Sequence, residues 1–181
     1  MTISYQLREE DYLNYQLFVA SRSERIVKKR KRNRLLVPVL YVLLGVAFAS
    51  QASWALTATF VILAILWFLF YPLWERNMYV KHYRNFIQEH YKQSRDKTLK
   101  LELNREYFWT SDGENESKIQ CKEIIDMWET GNQIFVRIQG GQAFILPKNS
   151  LQELDALIVF LKDLAVKLEV KYEVDLNWKW R

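Results

Sequence analysis

Acid–base catalysis by carboxylates needs two of them close together, and Glu114 and Glu116, flanking Asn115, are the nearest approach to such a pair. They follow the turn formers Ser111-Asp112-Gly113, so they read as a solvated loop rather than an acid and a base. Metal chemistry needs clustered ligands. His82 and His90 are eight residues apart, and on a helix that places them ~12 Å from one another, too far to share one ion. Cys121 is the chain's single cysteine, which excludes an internal disulfide and a cysteine zinc cluster; in an expected strand it reads as a buried, inert thiol. Gly140-Gly141 has the spacing of a tight turn, not of a dinucleotide loop, and no P-loop is present. No catalytic, cofactor-binding or metal-binding residue is therefore assigned, no cofactor is expected, and the chain is expected not to be an enzyme.

The informative residues are those with no chemistry. Leu35 to Trp74 form forty consecutive positions without a charged side chain. One helix of that length would reach ~60 Å, about twice the hydrocarbon thickness of a bilayer, so the economical arrangement is a two-helix transmembrane hairpin. The polar break Ser50-Gln51-Ala52-Ser53 sets the spans at about 35–49 and 54–71. The uncharged block lacks the ionisable residues that a proton relay or ion path requires.

Charge is distributed around this block rather than over the chain. Residues 1–34 carry nine Lys/Arg against four Asp/Glu, residues 75–97 six against three, and residues 98–181 eleven against fourteen. The overall +5 thus belongs to the two flanks, and the mildly acidic C-terminal part gives no nucleic-acid footprint. Arg22, Arg25, Lys28, Lys29, Arg30, Lys31, Arg32 and Arg34 precede the first span, and Arg76, Lys81 and Arg84 follow the second. Both outer flanks are basic and the connecting turn is not, so the positive-inside rule puts both termini in the cytoplasm. The run Lys28–Arg32 resembles a nuclear localisation signal, but directly before a span it reads as topogenic, with each side chain worth ~1 kcal/mol against anionic headgroups. Trp54 at one end of the second span, and Tyr71 and Trp74 at the other, are the expected interfacial aromatics. Gly45 and Ala49 on the first span, and Ala55 and Thr59 on the second, have the small-residue spacing that permits close helix packing within the hairpin, with a dimerisation face as the alternative. Pro72 lies where it could kink the second helix.

Before the hairpin, Glu9-Glu10-Asp11 marks a helix start, and Tyr12, Tyr15, Val19 and Ile26 share a face with Leu13, Leu17 and Ala20 beside them. This amphipathic segment is expected on the inner leaflet or on the cytoplasmic domain. After the hairpin, the spacing of Tyr79, Tyr83, Phe86 and His90 predicts that the second helix continues as a stalk to about Gln93. From Thr98 the period becomes two. Leu99, Leu101 and Leu103 alternate with Lys100 and Glu102; further strands are predicted over 105–110, 117–121, 123–129, 133–139 and 142–146, with Gly140-Gly141 joining the last two in a type I′ hairpin. Ser150 to Glu153 reads as a capping box before the apolar stripe Leu151, Leu154, Leu157, Leu161, Leu164 and Leu168. One antiparallel sheet closed by one amphipathic helix is the predicted domain. Val170, Tyr172, Val174, Leu176, Trp178 and Trp180 then alternate with polar residues, as an added strand on the domain or, if Trp178 and Trp180 are exposed, as a partner-binding surface.

The segment Glu123-Ile124 to Glu129, the run Ala143-Phe-Ile-Leu-Pro147-Lys148 before the C-terminal helix, and the opening Glu10-Asp11-Tyr12 resemble the YcxB-like proteins of bacteria. That resemblance implies a two-helix protein of the bacterial plasma (inner) membrane with a pleckstrin-homology-like (PH-like) domain, and it carries no catalytic residue onto this chain. The expected fold is α+β: a basic amphipathic segment at 1–34, the hairpin at 35–74, a stalk at 75–97, and a cytoplasmic PH-like domain at 98–181. The expected function is that of a membrane-anchored interaction or sensor protein with an unidentified protein partner, no nucleic acid, and a possible homo-oligomeric state. The alternative is an accessory or immunity-type subunit that acts through its hairpin on a larger membrane protein.

Overall fold

Forty uncharged residues cannot be left scattered in solvent. In the computed structural model, which describes residues 1–51, 53–90 and 97–180, residues 35–49 and 54–74 fall within its two longest helices. In chain order the elements are β1 (Thr2–Gln6), α1 (Glu9–Arg22), α2 (Glu24–Ala49), α3 (Trp54–His90), β2 (Thr98–Leu103), β3 (Tyr107–Ser111), β4 (Glu116–Gln120), β5 (Ile124–Thr130), β6 (Gln133–Ile138), β7 (Ala143–Pro147), α4 (Leu154–Leu168) and β8 (Lys171–Asp175). The fold is α+β. Two compact units result, one from Met1–Tyr15 with Phe86–Lys179 and the other from Gln16–Asn85 with Trp180.

The helical unit contains α2 and most of α3, and both helices are long and apolar enough to cross a membrane. Only 6% and 11% of their most apolar windows are buried, unlike the core helix of a soluble protein. Leu43, Val46, Leu69 and Phe70 are among the large apolar side chains that point outward. The hairpin closes where Gly45 is buried: a Cβ there would lie 3.6 Å from Phe60 Cβ and 3.7 Å from the Thr57 carbonyl. The Thr57 hydroxyl donates to the Gly45 carbonyl at 3.2 Å, and the Phe48 and Phe60 rings stack at 5.5 Å. Both helices run unbroken through a proline, Pro38 in α2 and Pro72 in α3. Ala52 in the predicted turn and 91–96 in the predicted stalk lie outside the described residues.

The other unit holds two four-stranded sheets, in orders β1-β2-β3-β4 and β7-β6-β5-β8, rather than the single sheet expected. The division falls after β4, where Cys121–Glu123 makes a 3₁₀ turn closed reciprocally by Gln120 and Glu123, so β5 leaves the first sheet and pairs with β6 instead. The core lies between them. Leu101, Leu103 and Phe108 from the first sheet and Met127, Ile134, Val136 and Leu146 from the second are buried, as are Leu157, Leu161 and Leu164 of α4. The opposite face of the second sheet is also covered. Tyr15 of α1 meets Phe135 at 5.2 Å, and the Gln133 amide donates to Asp11 Oδ1 at 2.7 Å, which is why β6 reads as a nearly continuous apolar run.

Two local expectations are corrected. The domain does not begin at Thr98: Thr2–Gln6 pairs antiparallel with β2, from Thr2 opposite Glu102 to Gln6 opposite Thr98, and buries Ile3 and Tyr5. The capping box at Ser150–Glu153 does not form. Lys148–Ser150 is a 3₁₀ turn, and Glu153 precedes α4 without a side-chain cap bond. The turn at Gly140-Gly141 is present, with both glycines at φ 84°, a conformation other residues adopt only under strain.

The alternating tail supplies β8, which lies parallel to β5 after the α4 crossover and stops at Asp175. Just beyond it, the Leu176 carbonyl approaches Gly131 so closely that a Cβ would sit 2.7 Å from its oxygen. Gly131→Ala should therefore destabilise the full chain by about 1–3 kcal/mol in thermal unfolding, and shortening the chain after Asp175 should abolish most of that difference. Equal losses in both backgrounds would place the strain elsewhere.

Candidate functional site at the polar end of the hairpin

α2 begins about three turns before the uncharged block, so its first half carries the basic run as a helix surface. At 100° per residue, Arg25, Lys28, Lys29 and Arg32 fall on one face and Arg30 and Arg34 on the other. The structure gives these two sets different partners.

Arg30, expected among headgroups, is largely buried against α3. Its Nε donates to Glu75 Oε2 at 3.0 Å, and the two side chains are 19% and 5% exposed. Tyr71, expected at the interface, is instead buried and donates its hydroxyl to Glu75 Oε1 at 3.2 Å. The guanidinium of Arg30 also lies 4.6 Å from the Trp180 ring centroid and 5.9 Å from that of Tyr79. Arg34 follows the same direction, with its guanidinium 4.2 Å from the Phe68 ring centroid. These contacts tie α2 to α3 at the end opposite the turn. Both helices present their polar ends here, so a buried charge on one requires its counter-charge on the other. Sequence reasoning missed Glu75. Its signal was position: it is the first acid after the uncharged block, buried among aromatic neighbours.

The opposite face of α2 is open. Arg25, Lys28, Lys29 and Arg32 line a groove of about 490 Å³. Lys28 reaches Glu24 at 3.0 Å in a fully solvated i,i+4 pair, which contributes little. Arg22 packs its guanidinium 5.5 Å from the Phe18 ring centroid; Lys31, Arg76, Lys81 and Arg84 are exposed. Trp54 and Trp74 are 71% and 59% exposed, and twenty helical steps of ~1.5 Å separate them by ~30 Å, the thickness of a hydrocarbon core. Of the small residues, Gly45 enters the helix contact, whereas Ala55 and Thr59 are exposed and Ala49 is half-buried. The facing positions on α3 are Thr57, Phe60 and Val61 instead, because the tight turn sets the register between the helices. Trp180 is 6% exposed against Arg30 and Tyr79, and Trp178 is half-buried, so the two do not form an exposed pair.

In the sheet unit, polar side chains serve one another. Glu129 accepts from Lys148 Nζ at 2.7 Å and from the Tyr172 hydroxyl at 2.8 Å, which fastens β8 and the end of β7 to β5. Burial pushes the Glu129 carboxyl up, but the bonds from Lys148 and Tyr172 outweigh it, and the net shift is downward. Its stabilising contribution is therefore complete above the ordinary carboxylate range and is lost as pH falls through the lowered value. Arg137 grips Asp126 with two N–H groups, Nε to Oδ1 at 2.7 Å and Nη2 to Oδ2. Glu114 is paired with Lys97 at 2.6 Å, while Glu116 opens β4 opposite Ser111, so the two acids do not converge. Asp112 accepts from the backbone N–H groups of Asn115 and Glu114, which hold its carboxyl down at about 2. Cys121 is buried 3.4 Å from the Asn104 carbonyl, and burial pushes its thiol up to about 11. His90 stacks on Phe86 at 4.3 Å, and His82 meets Tyr83 edge-on.

Residues 103–161 match the family model described as YcxB-like protein. The match runs from the last residue of β2 into α4 and includes the β5 and β7 segments that carry the resemblance, so this part of the sheet unit is similar to YcxB-like proteins. No curated protein and no solved structure matches the chain.

Neutralising one member of the α2–α3 ion pair strands a charge in a buried place. Glu75→Met and Arg30→Met should each cost about 3–5 kcal/mol in denaturant unfolding of the full chain in micelles, and the double variant Arg30→Met/Glu75→Met should recover most of the loss. Additive losses would contradict a mutual pair.

Proposed function

We propose that this chain is a membrane-anchored interaction protein. Its α2–α3 hairpin spans the bacterial plasma membrane twice, both termini lie in the cytoplasm, and a PH-like domain is held there to engage a protein partner. The basic flanks on both sides of the hairpin and its uncharged turn support this orientation. A binding role rather than a catalytic one is supported by how the domain uses its polar side chains. Glu129, Asp126 and Asp11 are committed to Lys148 and Tyr172, to Arg137, and to Gln133, in contacts that hold strands and helix together.

The observation that carries the reading is the edge of the second sheet. Among the described residues β8 is paired on one side, to β5, and Val174 near its end and Leu176 just beyond it are 53% and 55% exposed. An open strand edge flanked by apolar side chains suits the addition of a partner's strand: backbone bonds supply affinity and the side chains supply selectivity. On this reading the partner would be met by Val174 and Leu176 rather than by Trp178 and Trp180.

Site-specific photo-crosslinking from Glu173 in living cells tests it. A defined protein adduct is expected; Val174→Lys/Leu176→Lys should abolish it, and exchange of residues 35–70 for an unrelated hairpin should leave it intact. Loss of the adduct on hairpin exchange, with the lysine variant unaffected, would favour the accessory subunit acting through its helices.

A further inference from the structure

The basic run before α2's apolar half could attract a membrane in two ways: as a diffuse cloud of charge, or as a shaped site. The groove on its solvent-facing side distinguishes them. Arg25, Lys28, Lys29 and Arg32 converge on one open volume of about 490 Å³, while Arg30 and Arg34 turn away from it to Glu75 and Phe68. Among the described residues, Arg25, Lys29 and Arg32 have no acidic partner, and the one acid at the groove, Glu24, is fully solvated beside Lys28. Three of the four cations thus line this groove without an acidic partner among the described residues.

We propose that this groove is a binding site for a phospholipid headgroup carrying more than one phosphate. Position favours a lipid. Arg32 stands three residues before Leu35, where the uncharged block begins, so a headgroup seated there can keep its acyl chains in the hydrocarbon beside α2. Length favours two phosphates. From Arg25 to Arg32 the groove follows the helix for ~10 Å, about two turns, and a single phosphate would leave half the cations uncompensated. The guanidinium groups at its two ends can each grip a phosphate through paired N–H donors, with the ammonium groups of Lys28 and Lys29 between them. Basic pockets beside membrane helices select lipids by this charge matching. The site rests on α2 and α3 being membrane spans, and it does not depend on a protein partner for the domain.

The full chain, reconstituted into phosphatidylcholine nanodiscs doped with either a two-phosphate or a single-phosphate anionic lipid at equal total charge, gives the test by native mass spectrometry of retained lipid. The two-phosphate lipid should be retained preferentially. Lys28→Gln/Lys29→Gln should reduce its retention about thirtyfold, as expected for two lost headgroup contacts. Arg76→Gln/Lys81→Gln, which removes the same charge from the other flank, should leave it unchanged. Equal loss in both variants, or equal retention of the two lipids, would overturn the site in favour of diffuse attraction. Soluble inorganic diphosphate that displaced the lipid at equal concentration would overturn the lipid assignment. Alkaline extraction of the same chain from native membranes keeps the two readings apart: release would defeat the anchor itself, whereas resistance with no lipid preference would defeat the site alone.

Discussion

The cost of hydrating Leu35–Trp74 governs this molecule. Forty uncharged positions exceed what one helix needs to cross a bilayer, and they are divided instead between α2 and α3, which lie side by side. Once they are side by side, their contacts follow from size and charge. Gly45 lets α3 approach near the turn, and Arg30 meets Glu75 at the other end. Between those points the outward surface is apolar, so lipid can solvate it. The buried ion pair contributes less to net stability than its geometry suggests, since two charges had to be dehydrated to form it. Its physical role is register: any slip of one helix against the other strands both charges.

The sheet unit is built on a different principle. Two sheets and α4 enclose an apolar core, and the strands that arrive last in the chain are fixed by polar contacts: β8 by Tyr172 on Glu129, the segment after β7 by Lys148 on the same carboxylate. β1 comes from the other end of the sequence and completes the first sheet by pairing with β2. The two long-range closures bracket the helices in sequence, so the unit is complete only when residues from both sides of the hairpin are present. Gln133 illustrates the economy of this arrangement: almost fully buried on β6, it reaches Asp11 at the start of α1 and so satisfies its amide.

Hydropathy and turn chemistry made much of this legible. The helix limits at Ala49 and Trp54, the strand alternation from Thr98, and the glycine turn at Gly140-Gly141 all follow from local pattern. Three things did not. β1 was hidden because five residues alternating Ile3 and Tyr5 with polar neighbours are too short to stand out before a strong helix signal. The split into two sheets depends on whether β4 and β5 pair, which is a tertiary choice made at a 3₁₀ turn rather than a composition effect. At the hairpin's polar end, Arg30 and Lys31 are neighbours of the same type, and only the rotation of α2 against α3 decides that one is buried on Glu75 and the other is solvated. Charge counting reads such a run as uniform; helical phase shows it is not.

The proposed double crossing, with both ends on one side, is tested most directly by thiol accessibility in intact cells. With Cys121 replaced by serine, a single cysteine is placed at Gln51 in the turn or at Lys100 on β2, both exposed. A membrane-impermeant maleimide should label the Gln51→Cys chain from outside and spare Lys100→Cys until the cells are opened. Labelling of Lys100→Cys in sealed cells, or of neither position after lysis of the membrane fraction, would contradict the account.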